Sequence, residues 1–454
     1  MSDRAAYHLP GLNADIVREW RYLEKGGVRL RWPMLTSAQL ENICAAIAHN
    51  REQHLRSASV HDILAAVDAA VKRLYADINQ VSRVLSAYTG YSEQVVSDTL
   101  RHMFNDWSAP SLSELLRAEL GDANLLDHSL PDTHISRKYI AAYGYPFAFH
   151  IFSGNVPGVA VTSLIRSLLV KSATLGKTAA GEPLLPVLFA ESLTHVAPHI
   201  ASCLAVTYWQ GGTTDLEDAA LTAADVVVVY GGEETVRALI AHASQKQIVL
   251  HGPRLSFGIV GPNPPPDLPG DVAHAVAAYD QQGCVSPHLV YVVGDPAKAK
   301  TFAKAVANEL DRIAHSHPRG KLTPDEAVAV RNAQAAAEFA EDGSVLFGGD
   351  EAGHSVIFET DPSFKVSCLN RVVYVKPVPS AKAIPALLPP RRFLQSVAIE
   401  GFGESETAEL SRLLGQSGVS RVTTFERLPW PPMHWHHDGS APLRELITWQ
   451  DVEV

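Results

Sequence analysis

The chain has 454 residues, 46% apolar and 19% charged, with a mean hydropathy of +0.00. This core-forming composition excludes a disordered chain, and the length allows two or three domains. Lys plus Arg number 38 against 49 Asp plus Glu, a formal charge of −11 with no long run of like charges, which excludes nucleic acid as the main partner because phosphate binding draws on clustered cations.

The first third predicts helices. Between residues 61 and 87 the apolar positions Ile63, Leu64, Val67, Val71, Leu74, Ile78, Val81 and Leu85 recur three or four apart. Residues 105–112 read as a break around Pro110, followed by a short helix over 112–120. After about residue 134 strands and helices alternate. Residues 139–152 read as a strand or hairpin, SGNVPG (153–158) as a turn and 159–169 as an apolar helix. A loop at Lys177, a helix over 183–195, a strand over 204–209 and a helix over 215–223 come next. A buried strand (226–230), a Gly231–Gly232 turn, a helix over 233–243 and strands at 248–250 and 257–260 complete this half. Such alternation predicts an α/β fold of largely parallel sheets with helices on both faces. GPNPPPDLPGD (261–271) is the strongest break, and a domain boundary is expected there. Beyond it, helices are expected at 271–279, 296–314 and 405–414, and strands at 289–293, 372–375, 396–400 and 421–425.

Cys44, Cys203, Cys284 and Cys368 are scattered with no CxxC pair, so reduced thiols are expected rather than a disulfide framework. The N-terminal stretch has no apolar h-region. The charge-free stretch 140–165 is broken by Gly144, Pro146, Gly154, Asn155, Pro157 and Gly158. A cytoplasmic protein without a membrane span is the expectation.

Five segments could carry chemistry. In YDQQGCVSPHLVYV (279–292), Cys284 sits between helix and strand, where a thiol beside a free N–H can attack a carbonyl and help hold the oxyanion; a lone Cys more often simply packs. Asn155, after a strand and before a helix, is an oxyanion donor or merely a turn residue. LVKSATLGKT (169–178) has Lys171 where a P-loop needs Gly, which leaves Lys177 as a cation for a ribose or phosphate, or as a surface residue. VVVVYGG (226–232) followed by a helix is a weak diphosphate signal. His434, His436, His437 and Asp438 suggest a metal, but adjacent His436 and His437 face opposite sides of a strand, so a structural or substrate-lining loop is expected rather than a metal site.

In this order, SGNVPG, the Lys177 loop, YWQGG (208–212), VVVVYGG, HGPRLSFG (251–258), QQGCVSPH and HHDGSAPLRELITW resemble the acyl-CoA reductase branch of the aldehyde dehydrogenase superfamily, the LuxC-type fatty acid reductases. The resemblance covers about two-thirds of the chain, from near residue 134 to the C-terminus. It implies two Rossmann-like three-layer α/β domains plus a small oligomerisation arm. Residues 1–265 would bind the cofactor (with an arm near 131–150), 266–437 would carry the nucleophile, and 438–454 would return to the cofactor domain or an oligomer interface. By the same resemblance Cys284 is the acylated cysteine, Asn155 the oxyanion asparagine, Lys177 a contact to the adenosine ribose, and Gly231 and Gly232 the turn near the cofactor diphosphate. Ala180 replaces a glutamate common in NAD-preferring relatives, so NADPH is the expected cofactor, with NADH second.

Hydrolytic aldehyde dehydrogenases carry a glutamate base where this chain has 249–253, VLHGP. Without it the acyl enzyme should wait for hydride or a thiol. His251 and His288 are candidate bases for Cys284. Residues 367–372 offer no acid to hold the nicotinamide ribose. The implied activity is reduction of a fatty acyl-CoA or acyl thioester to the aldehyde, with an acyl-activating synthetase as a partner and a homo-oligomeric assembly. The rival readings are a hydrolytic aldehyde dehydrogenase and a non-catalytic binding subunit.

Overall fold

Two separate sheets organise the computed structural model, which describes residues 3–132, 138–232 and 246–454. The first sheet is parallel throughout, in the order Gln247–His251, Val226–Tyr230, Phe147–Ile151, Ala173–Lys177, Leu204–Thr207. Its central strands are buried at every position, which is why Val226–Tyr230 is a run of valines rather than an alternating pattern. Val226 and Val228 pack under the helices Val159–Leu169 and Leu185–Val196, while Val227 and Val229 pack against Ser37–Asn50 and Thr214–Ala223.

The second sheet runs Val345–Gly349, His354–Phe358, Val372–Val378, Pro287–Val293, Leu255–Val260, Leu394–Glu400, Arg421–Thr423, and only its Val345–Gly349 edge strand is antiparallel. Leu268–Ala277 and Pro296–Ser316 cover one face, Pro324–Glu338 and Glu404–Ser417 the other. The chain passes between the two sheets from His251 to Leu255, ahead of the proline-rich segment, because the strand Leu255–Val260 is an inner strand of the second sheet.

Local departures from the sequence reading have physical causes. The helix expected over 61–87 is two, Val60–Ala76 and Ile78–Thr89, hinged at Asp77, whose φ of −103° and ψ of 16° are not helical. Residues 139–152 do not form a hairpin. Tyr139–Gly144 pairs antiparallel with Ile447–Val452 and Leu130–Pro131 in a small sheet, while Phe147–Ile151 enters the first large sheet. Asp3–Ala5, Trp20–Lys25 and Val28–Pro33 form a further small sheet that periodicity did not reveal. The helix expected over 233–243 lies outside the described residues. Among the described residues no helix is long and apolar enough to cross a membrane.

Candidate active site

Cys284 lies between a short helical turn and the inner strand Pro287–Val293, on a stretch of unusual backbone. Tyr279, Asp280 and Gln281 all have positive φ (53°, 50° and 66°), as do Leu369, Asn370 and Arg371 (67°, 58° and 64°). Residues with a Cβ avoid this region at about 1–2 kcal/mol each, so both runs need bracing. The buried Arg371 guanidinium supplies it, 2.6 Å from the Asp280 carboxylate, which also accepts the Gly320 N–H at 2.8 Å. The Gln281 amide donates to the carbonyls of Pro287 and Val372, each at 2.8 Å, and the Gln282 amide to Asn370 Oδ1 at 2.9 Å. Ser256 Oγ donates to the Cys284 carbonyl at 2.8 Å. Gly283 is tightly placed: a Cβ there would stand 3.2 Å from the Tyr279 ring and 3.3 Å from Ser286 Oγ.

The Cys284 Sγ is 3.9 Å from Nε2 of His437 and 4.0 Å from the Gln395 amide nitrogen. His437 stacks on His251, with centroids 4.5 Å apart and planes 10° apart; His251 stacks in turn on Tyr230, and Trp435 lies against His437 at 4.9 Å. His251 Nδ1 donates to Asp438 at 2.9 Å, and Arg254 pairs with the same carboxylate at 3.1 Å. Burial pushes the Cys284 thiol up to about 12; the Asp438 carboxylate adds to this and the Gln395 amide opposes it. Burial, helped by His251, holds His437 down to about 3. Burial works against the Asp438 carboxylate, yet the His251 hydrogen bond and the nearby histidines and Arg254 keep it below the usual range. At neutral pH the pair is a thiol facing a neutral imidazole.

His251, His437 and Asp438 bring ligand atoms within 4.8 Å of one another. The two rings lie in nearly parallel planes, however, so their in-plane lone pairs do not converge on one ion, and His251 Nδ1 is already committed to Asp438.

A pocket of about 110 Å³ opens on Cys284, walled by Met103, Val156, Val159, Tyr279, Trp430 and Met433. Its polar wall includes the buried Arg166 and the half-buried Asp106, whose carboxyl is pushed up to about 7 by desolvation despite Arg166.

The other predicted residues lie elsewhere. Asn155 is exposed on its turn, its carbonyl accepting the Tyr91 hydroxyl; its neighbour Val156 is the one that lines the pocket. Among the described residues no hydrogen bond joins the Asn155 amide to Cys284. Lys177 ends a strand rather than sitting in a loop. Its Nζ is 3.8 Å from Glu217 and 5.6 Å above the Trp209 ring, and burial lowers its pKa against the pull of Glu217. Gly231 and Gly232 follow the strand Val226–Tyr230, and the Gly231 N–H donates to the His251 carbonyl at 3.2 Å. These residues share the carboxyl edge of the first sheet, where open α/β sheets bind ligands. A Cβ on Gly212, Gly232 or Gly252 would meet nothing within 4 Å, so that backbone faces open space. The half-buried Lys177 and the unobstructed glycine backbone fit a dinucleotide.

Sequence reasoning missed His437 as the neighbour of the thiol and Glu217 as the neighbour of Lys177. His288, offered as a base, is instead a buried neutral acceptor for the Ser367 N–H at 3.1 Å, held down to about 4 by burial. Of the candidates, His251 stands one ring behind His437.

The family model described as acyl-CoA reductase (LuxC) matches residues 55–449. A long-chain acyl-protein thioester reductase of Photorhabdus luminescens is 28% identical over 432 residues, 92% of this chain and 86% of the relative. One from Aliivibrio fischeri is 29% identical over 378 residues, 80% and 75%. Among solved structures, aldehyde dehydrogenase 21 from Physcomitrella patens in complex with succinate superposes with a TM-score of 0.78 at 11% identity, covering 100% of this chain and 98% of that one. The NADP-dependent glyceraldehyde-3-phosphate dehydrogenase of Bacillus halodurans, complexed with NADP, gives 0.75 at 12% identity over 96% of each chain. The chain belongs to the acyl-CoA reductase (LuxC) family and is built on the aldehyde dehydrogenase fold.

Proposed function

We propose that this chain reduces a long-chain acyl thioester to the aldehyde through an acyl–Cys284 intermediate. The donor is a fatty acyl-CoA or an acylated partner protein. The observation that carries the reading is a thiol at the end of an apolar pocket, with a neutral imidazole 3.9 Å away. The thioester reductases among its relatives support the same chemistry.

In this mechanism the Cys284 sulfur bonds to the thioester carbon as its proton passes to His437 Nε2. The Asp438 carboxylate, 3.9 Å from that nitrogen, steadies the imidazolium that forms transiently. The Cys284 N–H, with the Asn155 amide brought over from its turn, holds the oxyanion. The carbon–sulfur bond to the leaving group then breaks, and His437 returns the proton to the departing thiolate. Lys177, Glu217, Gly231 and Gly232 would hold a reduced nicotinamide, which when bound would supply a hydride for the acyl carbon. A proton taken up from water, relayed through His437, restores the Cys284 thiol as the aldehyde leaves.

NADPH is the preferred reductant because Ala180 leaves one carboxylate out of the ribose end; Glu217 puts another beside Lys177, so NADH is accepted as well. Residues 249–253 carry no carboxylate and Asp438 is engaged by His251 and Arg254, which argues against a hydrolytic enzyme. The Cys284–His437 pair argues against a non-catalytic subunit. The small sheet ending on the mostly exposed strand Ile447–Val452 is assigned to subunit pairing in a homo-oligomer, and an acyl-activating synthetase is the fitting protein partner in the cytoplasm. The test is aldehyde formation from acyl-CoAs of increasing length with NADPH or NADH. Formation that depends on Cys284 supports the reading; formation unchanged in Cys284→Ala, or oxidation of free aldehydes alone, overturns it.

A further inference from the structure

A second cavity adjoins the pocket at Cys284, and the two share His102, Tyr279 and Trp430. They differ in chemistry. The pocket at Cys284 is walled mainly by apolar groups such as Met103, Val156, Val159 and Met433, whereas the second cavity mixes Val95 and Ile313 with Asp98, Asp271, His317 and Glu426. Between them the imidazole of His102 lies flat on the indole of Trp430, centroids 3.7 Å apart and planes 11° apart. Tyr279 packs edge-on against the same indole at 5.0 Å, its hydroxyl donating to the Pro429 carbonyl at 2.9 Å. His102 comes from an exposed position of the helix Glu93–Asp106, and Trp430 from the loop after Arg421–Thr423. This partition is thus two side chains from distant parts of the chain, stacked on each other.

We propose that the His102–Trp430 stack is the end wall of the acyl pocket and sets the acyl length the enzyme accepts. The inference rests on the reading of Cys284 as the acylated residue. Methylenes on the Cys284 side of the wall gain from apolar surroundings, about fourfold in binding for each. A longer chain must displace the stack and enter the more polar cavity, whose wall carries the Asp98–His317 pair at 2.8 Å, where burying a methyl strips water from those groups. The wild-type increment per methylene therefore stops at the wall.

The experiment measures acylation of Cys284 by intact-protein mass spectrometry across a series of saturated acyl-CoAs, without reduced nicotinamide, for the wild type, Trp430→Ala, His102→Ala and Trp430→Phe. Shorter chains serve as the internal reference within each protein. In the wild type the rate climbs with length and then falls. Both alanine variants should move that fall to longer chains, with two further methylenes giving roughly fifteenfold relative to the shorter ones. Trp430→Phe, which keeps an aromatic face for His102, should stay near the wild-type profile. Unshifted profiles in both alanine variants, with Cys284 still acylated, would overturn the wall. Absence of acylation in the wild type with every donor would instead overturn the reading of Cys284.

Discussion

Replacing His437 separates a thiol that is activated from one that is merely buried. Burial pushes the Cys284 thiol up to about 12, so at pH 8 roughly one molecule in 10⁴ carries a thiolate unaided. General-base transfer to His437 avoids that penalty, and such help is typically worth about 10²–10⁴ in rate. His437→Asn removes both base and ring; His437→Phe keeps a ring between His251 and Trp435 and removes only the base. Both variants should acylate about 10²–10⁴ more slowly at pH 7.5. The pH profile is the sharper readout. With His437 held down to about 3 and Cys284 pushed up to about 12, the neutral pair persists across the accessible range, and wild-type acylation should be nearly flat between about pH 6 and 9. The variants depend on rare free thiolate, so their rates should rise about tenfold per pH unit. Quenched-flow mass spectrometry of the acyl adduct, without reduced nicotinamide, measures both. Wild-type rates in His437→Phe, or a wild-type profile that climbs tenfold per unit, would refute the reasoning.

Three other outcomes follow from the structure. Arg371→Met leaves the buried Asp280 carboxylate without its guanidinium partner and frees the left-handed run before Cys284; urea unfolding should show a loss of about 3–5 kcal/mol, and a loss under 1 would contradict the bracing role. His150 is buried between Ser163 and Ser167 and held down to about 3, below its unfolded 6.5, so its contribution to stability is intact above 6.5 and is lost as the pH falls. His150→Gln should therefore gain on the wild type by about 1.4 kcal/mol per unit below pH 6.5, and parallel curves in denaturant unfolding would contradict this. Glu217→Gln removes a carboxylate beside Lys177; fluorescence titration should show NADPH binding improved over NADH by about fivefold, and an unchanged ratio would place the ribose end elsewhere.

The fold was legible wherever burial writes directly into sequence. The valine run at 226–230 and the apolar helix at 159–169 read correctly because both faces of the first sheet are covered. The passage between sheets was misplaced because prolines at 262–269 punctuate strongly, whereas the short link after His251 carries only Gly252 and Pro253. The strand pair at 139–151 failed as a hairpin because its partners, Ile447–Val452 among them, are remote in sequence. Cys284 and Lys177 stood out by type and local context. His437 did not. Its relation to Cys284 arises from stacking on His251 and Trp435, and no local pattern records a contact between the C-terminal loop and an inner strand loop. Glu217 was hidden in the same way: an acid in a helix's first turn is explained by the helix alone.

The most direct measurement is a single turnover on Cys284 itself. Long-chain acyl-CoA is added to the protein, the thioester adduct is located by peptide mass spectrometry, and reduced nicotinamide is then supplied while aldehyde release is followed. One acyl group mapped to Cys284, stable until the nicotinamide arrives and then recovered as aldehyde, is the predicted result. An adduct on another residue, or an acyl group released as free acid at the same rate with or without the nicotinamide, would contradict it.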